Sequence, residues 1–66
     1  MVVPDRRPGD RSLRVSWHPE TSTVVFSHWV EGLCVASTPV SVHEAEVVAR
    51  FLAETLPIDA AHFGAG

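Results

Sequence analysis

The chain has no lysine at all, so its five basic residues are all arginine. Cysteine is nearly as scarce. Cys34 stands alone, which excludes an internal disulfide and removes the staple on which many small secreted domains depend; a reducing, cytoplasmic setting is the expectation. No apolar run approaches the roughly 20 residues of a membrane-spanning helix. Residues 1–10 lack the apolar centre of a secretory signal, and Arg6-Arg7 by itself does not make one. A glycine-rich phosphate loop is missing too.

What is present is a single small domain. Of 66 residues, 45% are hydrophobic, which favours a folded chain over a disordered one. The core such a chain can build is thin, so association with a second copy is an attractive further source of burial. The formal charge of −3 disfavours a general nucleic-acid binder, yet the charge is unevenly placed. Residues 1–14 hold four arginines and two aspartates, and residues 15–66 hold one arginine and six acids. A basic arm leads into an acidic body.

Two β-rich runs, residues 23–30 and 33–38, flank Glu31-Gly32, a pair suited to a tight hairpin because glycine accepts positive φ. This loop places Val30 opposite Leu33, Trp29 opposite Cys34, His28 opposite Val35 and Phe26 opposite Ser37. An earlier run over 12–18 alternates apolar and polar residues. The four-residue loop Pro19-Glu20-Thr21-Ser22 then sets Trp17 against Val24 and Val15 against Phe26. Both loops sort the same residues together: Leu13, Val15, Trp17, Val24, Phe26, His28, Val30, Leu33 and Val35 share one face. The other face carries Arg14, Ser16, His18, Thr23, Val25, Ser27, Trp29, Cys34, Ala36 and Thr38. It is neither charged nor greasy, a composition nearer to a contact surface than to a solvated sheet.

Pro39 is expected to end strand pairing. Ser41-Val42-His43-Glu44 has the spacing of a capping box, so a helix should begin at residue 42 and run to Leu56, where Pro57 stops it. Ala45, Val48, Ala49, Leu52 and Leu56 form one stripe with Phe51 at its edge, and Glu46, Arg50 and Glu54 lie opposite. The expected fold is therefore α+β: a three-stranded antiparallel meander (about 12–18, 23–30, 33–38) packed on one C-terminal helix (about 42–56). Residues 11–57 make the domain, 1–10 a flexible basic tail, and 58–66 a flexible C-terminal tail.

Catalytic chemistry is not legible. His18, His28, His43 and His62 with Cys34 show no HxxxH or CxxC spacing, so no metal, cofactor or enzymatic activity is expected. In its order of elements the stretch 13–56, with Ser-Trp-His-Pro-Glu, Ser-His-Trp and Gly-Leu-Cys-Val-Ala-Ser before a capped helix, resembles short uncharacterised proteins common in actinobacteria. That resemblance implies no activity. The strand-strand-strand-helix order is also similar in outline to the PC4-like single-stranded-DNA-binding coactivators, whose dimers bind DNA on a curved sheet. This chain lacks their basic strand face.

Two functions follow as expectations. The first is a non-enzymatic homodimerising interaction module, an accessory regulator, using the sheet face opposite the helix, with Val25, Trp29, Cys34, Ala36 and Arg14 in contact. A protein partner fits the same face, and a dimer through the sheet edges at 13–17 or 33–38 is the other route. The second is single-stranded nucleic-acid binding, with Trp29 as a stacking platform and Arg6, Arg7, Arg11 and Arg14 as phosphate partners. No membrane association is expected.

Overall fold

Two turns of different kinds set the register of the sheet. In the computed structural model, which describes residues 1–58, the strand Arg11–His18 pairs antiparallel with Thr23–Val30. Val15 lies opposite Phe26 and Trp17 opposite Val24, as the four-residue loop predicts. Pro19–Thr21 forms one 3-10 turn, closed by Ser22 in the left-handed region at φ 50. Thr23–Val30 then pairs with Leu33–Ser41 across Glu31-Gly32, whose φ values of 50 and 79 fit the two-residue hairpin turn that requires positive φ at both positions.

Glu31 has a Cβ in that left-handed position, which costs roughly 1 kcal/mol where glycine or asparagine would cost little. Glu31→Asn should therefore raise stability by about 0.5–1 kcal/mol without changing the register, read as a higher thermal midpoint.

Four strands are present where three were expected. Val2–Pro4 adds to the free side of Arg11–His18, so the strands, here β1 (Val2–Pro4), β2 (Arg11–His18), β3 (Thr23–Val30) and β4 (Leu33–Ser41), lie in the order β1-β2-β3-β4. The segment read as a loose tail thus carries a strand, and β2 is central. The turn joining β1 to β2 is shaped by Asp5, whose carboxylate accepts the Arg7 backbone N–H at 2.8 Å and the Arg7 guanidinium. Those bonds hold the Asp5 carboxyl well below its ordinary value of 3.8. Because the folded value is the depressed one, this support is complete above about pH 4 and fades as the pH falls further. Hydrogen exchange at Val3, whose N–H lies in the β1–β2 ladder, should accordingly quicken below pH 3 more than at β3, and Asp5→Asn should remove that difference.

The β3–β4 pairing departs from expectation in one place. Val30 faces Leu33 and Trp29 faces Cys34, but a bulge follows, so His28 pairs with Ala36 and Phe26 with Thr38. Val35 is the extra residue. Beyond it every β4 side chain changes face relative to the sequence reading, and Ala36 sits with His28 instead of Trp29.

Nor does Pro39 end the strand. The bond from Val42 N–H to Ser22 O makes Thr23 and Ser41 a non-hydrogen-bonded pair, and the alternation along the ladder makes Val25 and Pro39 another. The missing proline N–H would point to the open edge, where it costs the ladder nothing. Pro4, opposite Ser12, occupies the equivalent place on the other edge, since Asp5 N–H bonds to Arg11 O.

The helix α1 (Val42–Thr55) starts at the predicted residue and ends one earlier than expected. Ser41 is its N-cap, and its oxygen accepts the Glu44 N–H at 3.2 Å. Arg50 reaches Glu46 at 3.4 Å on the polar side. Among the strands, α1 approaches chiefly β4 and β3. It does not cover the sheet as the amphipathic pattern suggested. No described residue is buried. Of the C-terminal tail expected at 58–66, all but Ile58 lies outside the described residues.

Candidate functional site

Two apolar surfaces lie open on this fold. The first is the sheet face that gathers Val3, Leu13 and Trp17 with Phe26, His28 and Leu33, residues placed together by the three registers. Central β3 is half-buried throughout, but Trp17 is 52% exposed and Leu33 69% exposed. Arg11, opposite Val30, stands at one end of this face. The second surface is the helix stripe, where Val48 and Leu52 remain 42% and 37% exposed and only Ala45 and Ala53 are even half-buried. At 100° per residue, Val47 and Phe51 extend the apolar arc beyond Val48. Both are exposed.

Isolated exposed apolar residues are ordinary, but a folded domain with no buried residue among those described is not. The sequence pattern places Leu13, Trp17, Val48 and Leu52 in the core, with 13–17 entering a contact only by the alternative route of edge pairing. The thinness of the core was the one signal that pointed the other way.

The opposite sheet face is rich in hydroxyls and centres on Trp29. Four of the five residues expected to form a contact there, Arg14, Val25, Trp29 and Cys34, do share this face; Ala36 does not, because of the bulge. Trp29 is half-buried by its own neighbours. The Arg14 guanidinium carbon lies 3.8 Å from the indole centroid. The indole N–H donates to Ser27 Oγ at 2.8 Å, and Ser27 Oγ donates to the Arg14 carbonyl at 3.4 Å. A cation over the ring and a bonded N–H leave the indole largely satisfied within the chain. Cys34 is exposed, with its thiol 3.5 Å from the Ala36 carbonyl.

The arginines proposed for phosphate contact do not converge. Arg7 is held by Asp5 at 2.6 Å, Arg14 lies on Trp29, and Arg11 belongs to the other sheet face. Arg6 lies in the β1–β2 turn.

The histidines are likewise dispersed. His18, on the Trp29 face, is 3.2 Å from Ser16 Oγ and 3.5 Å from Glu20. His28 is on the apolar face, and His43 is in the first turn of α1. Among the described residues no group of three His, Cys, Asp or Glu side chains could hold a metal ion, and no helix is long and apolar enough to cross a membrane.

No family model, curated protein or solved structure matches the chain.

Proposed function

We propose that the protein is a non-enzymatic homodimerising interaction module, an accessory regulator in which pairing of two copies completes the hydrophobic core. The observation that carries this reading is the lack of any buried described residue beside two open apolar surfaces.

The geometry favours the apolar sheet face and the helix over the Trp29 face as the contact, since Trp29 already has Arg14 and Ser27 as partners. It also disfavours pairing by sheet edges. β1 is three residues long, and both edge strands carry a proline whose outward side offers no donor.

Light scattering coupled to size exclusion tests the proposal. The expected mass at tens of micromolar is twice the 7.2 kDa of the chain. A 7.2 kDa species at high micromolar concentration overturns it.

A further inference from the structure

The homodimer reading leaves open what lies against each apolar face, and the junction between β4 and α1 bears on that. We infer that the two copies exchange helices: α1 of each chain covers the apolar sheet face of the other. This inference rests on the homodimer reading.

A helix that turns back over the sheet it follows uses a connection of about 2–6 residues. Here there is none. Ser41 is both the last residue of β4 and the N-cap of α1, with extended φ and ψ of −66 and 157. Its oxygen is bonded to Glu44 N–H, and the next amide, Val42 N–H, is bonded to Ser22 O at 3.1 Å. Swinging α1 back over its own sheet would break this cap or this bond, so the direction of the helix is set by the strand that precedes it.

The sheet face and the helix stripe match in size and chemistry. Fourteen residues of helix measure about 21 Å. Four strands spaced at about 4.8 Å put the outer strands roughly 14 Å apart, so one helix spans the sheet on a diagonal. Leu13 and Trp17 on the sheet meet Val48 and Leu52 on the helix, apolar against apolar, while Glu46 and Arg50 pair on the side away from the stripe. One chain has one open sheet face and one open stripe. A two-fold axis between two copies covers both surfaces twice, which no single foreign helix or sheet would do.

Isotope-filtered NMR on a dimer assembled from equal parts of carbon-13-labelled and unlabelled chain tests the exchange without any substitution. The expected result is a set of interchain cross-peaks from the Trp17 indole and Leu13 methyls to the Val48 and Leu52 methyls. A dimer whose helix-to-sheet cross-peaks are confined to one chain overturns the exchange and leaves the homodimer standing. Interchain cross-peaks found only between Val47 and Phe51 of two helices do the same. A monomeric mass in the same sample overturns both.

Discussion

Leu52→Asp is expected to turn the proposed dimer into a monomer and to remove most of its helical circular dichroism. Leu52 lies in the middle of the α1 stripe and keeps 37% of its surface exposed in one chain, which leaves part of it for a second copy to cover. If a second copy covers the stripe, an aspartate there meets a mainly apolar sheet face whose arginine, Arg11, stands only at one end. An uncompensated charge in such a contact costs about 3–5 kcal/mol, and the two-fold repeats it at both contacts. Association should weaken by more than about 1000-fold in sedimentation equilibrium. The isolated helix then has little to hold it, because a 14-residue helix in water is marginal on its own. Glu54→Asp, on the polar side, should leave the mass unchanged; a Leu52→Asp protein that still sediments as wild type would show that the stripe is not an interface.

Replacing the two tryptophans should separate the two sheet faces. Trp17 is half exposed on the apolar face, and large aromatics at the centre of a contact typically carry about 2–4 kcal/mol of binding each. Trp17→Ala should raise the dissociation constant by at least 30-fold. Trp29→Ala removes a cation–π contact and one hydrogen bond inside the chain, worth about 1–2.5 kcal/mol before the indole's packing is counted. Its dimer should persist, with a modestly lower thermal midpoint. The reverse order, with Trp29→Ala dissociating the dimer and Trp17→Ala retaining it, would move the contact to the hydroxyl-rich face and restore the assignment suggested by composition alone.

The sequence made the β2–β3 pairing legible because Pro19-Glu20-Thr21-Ser22 and Glu31-Gly32 mark both of its ends, and even loop lengths keep apolar residues on one side. The start of α1 was equally open, since Ser41 and Glu44 stand at cap spacing. Three features were not. β1 is three residues long and ends in a proline, too short for a period-two pattern to register. The bulge at Val35 lies in Cys34-Val35-Ala36, where no glycine or charge announces it. The position of α1 was hidden for a different reason: an amphipathic stripe shows that one side of a helix is buried, not whose chain buries it. The contact residues inferred from composition, Ala36 apart, lie on the sheet face opposite the proposed contact. Small residues around Trp29 suit an indole resting on its own strand neighbours as well as they suit a partner.

The most direct test of a core completed between chains is thermal unfolding followed by circular dichroism over a 100-fold range of protein concentration. If folding and association are one event, the midpoint rises with concentration, and the helix and the sheet melt together. A midpoint independent of concentration over that range would mean that one chain folds alone, and would contradict the account.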